Sequence, residues 1–278
     1  MTPRSLLRDT VLLFLKEGIP DPETDSALLL SSIVHRPPLE LRIDSESVLP
    51  DTVVEQYNRL VSARLRRFPL QYLLSEAPFC GRFFYVDQRV LIPRPETELL
   101  CEWALDELKK TESPKVLDLC CGSGCIGLTI KAERPDADLV LSDISSDALD
   151  VSRINAGRLG LSVETRLGDL LDGIPASLFD LIVCNPPYIP SESCGSLQAE
   201  VLFEPIEALD GGTDGLSLYR RLIPEAKRTV IPGGTLMMEL GQGESGPVSG
   251  LLSAAGFSGI EVRQDLNGID RMILARMN

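Results

Sequence analysis

The sequence predicts a doubly wound α/β fold with a mostly parallel sheet, preceded by a small helical domain and joined to it by a β-hairpin linker. Three observations predict it. Helical periodicity fills the chain to about residue 74, the texture then changes to aromatic and β-branched residues around Gly81, and from Lys115 onward short apolar runs alternate with helical patterns. Alternation of that kind places helices on both faces of a parallel sheet. A length of 278 residues suits one large or two unequal domains. The expected boundaries are 1–74 for the helical domain, 75–92 for the hairpin linker and 93–278 for the α/β domain.

In the helical domain, Leu6, Leu7, Val11, Leu12 and Leu15 recur at helical spacing until Gly18-Ile19-Pro20 ends the pattern. Asp21-Pro22-Glu23 supplies a cap and a proline at the first helical position before Ala27-Leu28-Leu29-Leu30. A further helix covers Thr52 to Arg67, with Val53, Tyr57, Leu60, Val61 and Leu65 as its apolar face. Its Arg64, Arg66 and Arg67 stand near the negative end of the helix dipole. Phe83, Phe84, Tyr85, Val86, Val90 and Leu91 then read as a short hairpin between Phe79 and Ile92. Pro93-Arg94-Pro95-Glu96-Thr97-Glu98 starts a helix through about Lys109. Strands are expected at Val116 to Leu119, Asp138 to Leu141, Leu181 to Val183, Thr235 to Leu240 and Arg271 to Ala275.

Composition narrows the function classes. Hydrophobic residues make up 44% and charged residues 24%, as in ordinary globular proteins. No apolar run approaches the roughly 18 residues of a membrane span, and Val11-Leu12-Leu13-Phe14-Leu15 lacks the flanks of a signal peptide, so a cytoplasmic protein is expected. The net charge of -14 is uneven: Met1 to Tyr85 holds 10 Lys and Arg against 11 Asp and Glu, and the remainder 17 against 30. An acidic body of this kind disfavours stable binding to nucleic acid and favours a basic protein partner. Seven cysteines without C-x-x-C spacing read as reduced thiols, with no metal site. The single histidine, His35, is read as a loop residue and gives no support to a Ser-His-Asp or Cys-His mechanism.

The chemistry concentrates at strand ends. Asp118-Leu119-Cys120-Cys121-Gly122-Ser123-Gly124 joins the first strand to a helix through a turn of small residues, where a backbone can approach a ligand at the carboxyl edge of the sheet. Asp143 ends the next strand about 20 residues beyond the glycines, where a carboxylate can accept both ribose hydroxyl protons. Asp169 is expected to end a third strand and to meet the adenine end, with Leu170 as an apolar wall. Together these outline an adenosine pocket. Gly122-x-Gly124-x-x-Gly127 also fits a dinucleotide turn, so the fourth strand has to discriminate.

That strand, Leu181-Ile182-Val183-Cys184, runs into Asn185-Pro186-Pro187-Tyr188, and here the chain resembles class I S-adenosylmethionine-dependent methyltransferases that modify a planar amino group. A chance match to the tetrapeptide is expected on the order of once in a thousand chains of this length. The nitrogen of an amide or aromatic amine is a poor nucleophile because its lone pair is delocalised, and both of its N–H donors need acceptors. The Asn185 side-chain oxygen and the Pro186 carbonyl can supply them, held by prolines that fix φ near about -65°. Acceptors that strengthen as charge develops on nitrogen favour the transition state. Tyr188 can cover the flat face of the substrate.

A narrower resemblance extends along the whole chain. Pro69-Leu70-Gln71-Tyr72-Leu73, Phe79-x-Gly81, Phe84-x-Val86 and Val90-Leu91-Ile92-Pro93-Arg94-Pro95-Glu96-Thr97-Glu98 resemble the release factor glutamine methyltransferases, the HemK/PrmC family. So do Phe203-Glu204-Pro205, Ala208-Leu209, Gly211-Gly212, Asp214-Gly215-Leu216, Glu239-x-Gly241 and Asp265-x-x-Gly268-x-x-Arg271.

The resemblance implies a Rossmann-like methyltransferase domain and a helical domain that recognises peptide chain release factors. It implies methylation of N5 of the glutamine in their Gly-Gly-Gln motif; separately, the chain is expected to act as a monomer. S-adenosyl-L-methionine would be the cofactor and S-adenosyl-L-homocysteine the product. Cofactor contacts are expected from Asp118, Cys120, Cys121, Gly122, Ser123, Gly124, Asp143, Asp169, Leu170 and Asn185. Asn185, Pro186, Pro187 and Tyr188 are expected to hold the substrate, with Asn185, Pro186 and Tyr188 carrying catalysis. Three positions depart from the family pattern. Cys120 stands where a glycine is usual, which the turn tolerates if its φ is negative; Ser75 stands where a glycine commonly follows; and Leu170 is aromatic in some relatives. An N6-adenine nucleic-acid methyltransferase, whose flipped base the same tetrapeptide could hold, is opposed by the acidic charge and by the linker motifs. A non-catalytic cofactor-binding protein that docks on release factors is opposed by the intact Asn185.

Overall fold

The computed structural model describes residues 1–176 and 178–278. The chain divides into two compact units, Met1–Glu76 with Gln198–Phe203, and Ala77–Leu197 with Glu204–Asn278. Local patterning gave no sign that 198–203 belongs with the helical unit, and the hairpin, expected as a separate linker, falls inside the second unit.

The first unit holds helices α1 (Pro3–Lys16), α2 (Pro22–Val34), α3 (Pro38–Ile43), α4 (Asp51–Leu65) and α5 (Leu70–Leu74). A capping box between Thr2 and Ser5 starts α1. Its buried face runs through Leu6, Leu7, Thr10 and Phe14, whereas Leu12 and Leu15, grouped with that face from the sequence, are 61% and 59% exposed. At about 100° per residue, Leu6, Thr10 and Phe14 share one arc and Leu12 and Leu15 lie on the other side. Phe14, Leu29, Leu30, Leu41 and Tyr57 fill the core. Buried Arg64 donates to Asp25 at 2.7 Å and to Glu200 at 2.9 Å, so the distant segment is tied in by a charge-assisted pair.

The second unit begins with the hairpin β1 (Ala77–Phe79) and β2 (Arg82–Phe84), shorter than expected because the pairing ends at Ala77 and Phe84. Helix α6 (Pro95–Leu108) leads into β3 (Lys115–Leu119), α7 (Cys125–Glu133), β4 (Asp138–Asp143), α8 (Ser146–Arg158), β5 (Glu164–Leu167) and β6 (Phe179–Cys184). After the short α9 (Ser191–Cys194) come α10 (Ser217–Thr229), β7 (Val230–Glu239), α11 (Ser245–Ala255), β8 (Ser258–Gln264) and β9 (Asp270–Arg276). The sheet order is β5-β4-β3-β6-β7-β9-β8, parallel from β5 to β7, with β9 antiparallel to both β7 and β8.

Period-two alternation sends the strand residues to two layers. Val116, Leu181, Val183, Met237 and Leu274 pack with Leu100, Trp103, Ile126 and Leu149 from α6, α7 and α8. Leu117, Ile182, Leu236, Met238 and Ile273 pack with Leu222, Ile223, Val248 and Leu252 from α10 and α11. The order reverses between β4 and β6 on either side of β3, so the carboxyl ends of these strands open the crevice in which doubly wound sheets bind ligands. No described helix is long and apolar enough to cross a membrane.

Candidate active site

The turn after β3 is built from left-handed backbone. Cys120, Gly122 and Gly124 have φ of 56°, 52° and 77°. The condition set for Cys120, a negative φ, is therefore not met; a side chain sits where a glycine costs nothing, a strain of about 1 to 2 kcal/mol. The turn is held by Cys121 N–H donating to Ser142 O at 3.1 Å and by Gly122 N–H donating to Asp143 Oδ2 at 2.9 Å. Buried Asn155 donates to Ser123 O at 2.9 Å and to Tyr85 O at 3.0 Å, tying the turn to the segment after the hairpin.

The third glycine of the pattern has a packing role. A Cβ on Gly127 would lie 2.6 Å from Leu141 and 2.8 Å from the Asp118 Cβ, so its absence lets α7 approach the sheet.

A cavity of about 640 Å³ opens at this edge of the sheet, the size of an ordinary small-molecule site. Of the residues expected at the cofactor, Cys120, Cys121, Gly122, Ser123, Asp143, Asp169, Leu170 and Asn185 line it. Asp118 and Gly124 do not. Asp118 is 1% exposed and turned into the protein, where Oδ2 accepts from Gly127 N–H at 2.8 Å and Oδ1 has no partner. Burial, together with the nearby Asp143 charge, pushes its carboxyl up to about 7. It is a structural acid under the cavity floor. Gly124 is the residue preceding α7, used for its backbone conformation.

Asp143 fits the ribose role. Its oxygens accept from the N–H groups of Gly122 and Ser145, both at 2.9 Å, which fixes the carboxylate and leaves lone pairs for two further donors. Asp169 reaches the cavity, but its Oδ2 already accepts from Arg221 at 2.7 Å, a pair that the sequence did not announce. Leu170 lines the wall with φ 51°, and Ile144, 62% exposed, lines it as well. Ile144 was readable as an apolar residue immediately beyond a strand-ending aspartate. These groups fit S-adenosylmethionine: a fixed carboxylate for the ribose, apolar walls for the base and a small-residue turn for close backbone approach.

At the end of β6, Asn185 and Pro187 line the cavity, whereas Pro186 and Tyr188 do not. Tyr188, expected to cover the substrate, has its hydroxyl tethered by donation to Glu239 Oε1 at 3.1 Å. Asn185 Nδ2 donates to Thr97 Oγ1 at 3.3 Å, and Thr97 Oγ1 donates to Glu239 Oε2 at 2.6 Å. Burial raises the Glu239 carboxyl, opposed by these two hydroxyls and by the Arg271 charge.

The motifs outside the tetrapeptide therefore have physical roles at the site. Arg94, on the cavity wall, pairs with buried Glu204 at 2.5 Å, and Glu204 also accepts from Ile92 N–H, which joins Phe203-Glu204-Pro205 to the start of α6. Arg271 is held by Asp265 at 3.2 Å. Sequence reading named these stretches only as likenesses and left Thr97, Glu239 and Arg94 without roles.

Comparison with known proteins agrees with this geometry. Residues 5–74 match the family model described as PrmC N-terminal domain, and residues 97–212 match the methyltransferase small domain. The chain is 39% identical over 258 residues to the release factor glutamine methyltransferase of Clostridium acetobutylicum, covering 90% of each chain. It is 38% identical over 278 residues to the one from Deinococcus radiodurans, covering 99% of each. In fold it is similar to the T. thermophilus 16S rRNA N2 G1207 methyltransferase, with TM-score 0.53 and 19% identity over 73% of this chain and 50% of that one. Identity of 38–39% to these relatives over 90–99% of the chain shows that it belongs to the release factor glutamine methyltransferase family.

Proposed function

We propose that this chain transfers a methyl group from S-adenosyl-L-methionine to N5 of the glutamine side chain in the Gly-Gly-Gln motif of peptide chain release factors. The observation that carries the reading is Asn185, held at the carboxyl end of β6 on the wall of the cavity that Asp143 and the Gly122 turn also line. When bound, S-adenosylmethionine supplies an electrophilic methyl on a sulfonium centre. Asp143 and the walls made by Leu170 and Ile144 bind and orient it. Asn185 Oδ1 accepts one N–H of the substrate amide, and the Pro186 carbonyl is the second acceptor. Both bonds strengthen as the nitrogen takes up positive charge, which lowers the barrier more than it tightens the ground state. Prolines on both sides of the second carbonyl's peptide unit keep these acceptors ordered before binding.

The helical unit is the recognition domain in this reading, supported by the match of residues 5–74 to the PrmC N-terminal domain. A cytoplasmic monomer that forms no stable complex with nucleic acid accords with seven free thiols and a net charge of -14. Incubation with radiolabelled S-adenosylmethionine and either purified release factor or DNA, followed by peptide and nucleoside mapping, tests the assignment. Label on the Gly-Gly-Gln glutamine is expected. Label on adenine, or on neither substrate, would overturn it.

A further inference from the structure

We propose that Thr97 and Glu239 are positioning residues that set which end of the Asn185 amide faces the substrate. The inference rests on the reading of Asn185 as the acceptor for the substrate N–H. An asparagine amide presents an oxygen on one side and two N–H donors on the other, and the two ends have almost the same shape. Only one orientation serves, because a donor aimed at the substrate amide would oppose the N–H it must hold.

The orientation is decided one residue further back. Glu239 is buried and faces two hydroxyls, Thr97 on Oε2 at 2.6 Å and Tyr188 on Oε1 at 3.1 Å. The shorter contact has the length of a hydroxyl donating to a carboxylate. Ionised Glu239 can only accept, so the single Thr97 proton points to it. Thr97 Oγ1 is then left to Asn185 as an acceptor, and Asn185 must meet it with Nδ2, as the 3.3 Å contact shows. Among the described residues no group donates to Asn185 Oδ1, which is therefore free for the substrate. Burial raises the Glu239 carboxyl and the Glu96 charge adds to this, while the Thr97 and Tyr188 hydroxyls and then the Arg271 charge oppose them. The Tyr219 hydroxyl fixes the strand end by donating to Glu239 O at 2.7 Å. Thr97 is delivered to this point because Pro95 starts α6 two residues earlier. The polarity of the chain thus runs from a buried charge, through a hydroxyl, to the amide that holds the substrate.

The test uses the full chain with purified release factor. Thr97→Val keeps the side-chain shape and removes the hydroxyl. It is expected to lower kcat by about ten- to a hundredfold, the loss that follows when a buried donor is left without its partner. The Kd for S-adenosylmethionine, measured by calorimetry whose stoichiometry also reports the folded fraction, should stay within about twofold. Thr97→Ser, which restores the hydroxyl, should recover most of the rate. In an Asn185→Ala background, Thr97→Val should have no further effect on kcat, because its action runs through the missing amide. Wild-type turnover in Thr97→Val, failure of Thr97→Ser to recover the rate, or an additive loss in the double variant would each overturn the proposal. Full activity in Asn185→Ala alone would instead remove the reading on which it rests.

Discussion

Replacing Asp118 with Asn should change stability in a pH-dependent way. Asp118 is fully enclosed, one oxygen takes the Gly127 N–H and the other has no partner. Burial, reinforced by Asp143, lifts its carboxyl from 3.8 to about 7. A carboxyl raised in the folded state contributes its full stability below the unfolded value and loses it as pH rises through the folded value. A carboxyl held that far above its free value costs about 4 kcal/mol of stability once both states are ionised. Between pH 5 and pH 8 the wild type should therefore lose about 2 to 3 kcal/mol that an uncharged residue does not lose. Asn keeps an acceptor for Gly127 N–H, and its NH2 adds a constant cost of about 1 to 3 kcal/mol if it finds no partner. That offset is independent of pH, so the test is the change in the difference. Urea unfolding of wild type and Asp118→Asn at pH 5, 6, 7 and 8 should show the variant gaining on the wild type at each step. A constant difference across this range would refute the assignment of Asp118 as a buried structural acid.

Two other perturbations probe the cavity and its turn. Asp143→Ala should weaken S-adenosylmethionine binding by about 2 to 4 kcal/mol, through loss of two charge-assisted bonds and of the anchor for Gly122 N–H, and calorimetry should record it. Cys120→Gly should stabilise the fold by about 1 kcal/mol, because φ of 56° costs glycine nothing, and the gain should be visible as a higher urea midpoint.

The doubly wound sheet was legible because its central strands are buried on both faces and read as apolar runs. Edge strands were not: β8 carries Glu261, Arg263 and Gln264, is largely exposed, and its alternation is confined to the short stretch Ile260-Glu261-Val262-Arg263. The third strand, β5, was inferred only from the position of Asp169, since Glu164-Thr165-Arg166 has no apolar pattern of its own. At the site, Asp143, the glycine turn and Asn185 could be placed because their residue types and their position at strand ends are set by local sequence. Asp118 looked equivalent to Asp143, yet Asp118 pairs with Leu141, two residues short of Asp143 on the same face and deeper in the sheet, and only Asp143 reaches the cavity. Thr97, Glu204 and Glu239 were out of reach for a different reason. Thr97 is 88 residues from Asn185 and 142 from Glu239, and Glu204 is 112 from Ile92, so only tertiary structure gives them roles.

The central claim is that the strand-ending asparagine holds the substrate amide for methyl transfer and contributes little to holding the cofactor. Asn185→Ala tests it most directly when single-turnover methylation of release factor and calorimetric binding of S-adenosylmethionine are measured on the same preparation. The account predicts a fall in methyl transfer of about a hundred- to a thousandfold, as for other preorganised hydrogen-bonding groups, with cofactor affinity within about threefold of wild type. Methyl transfer at the wild-type rate, or a loss fully explained by weakened cofactor binding, would contradict it.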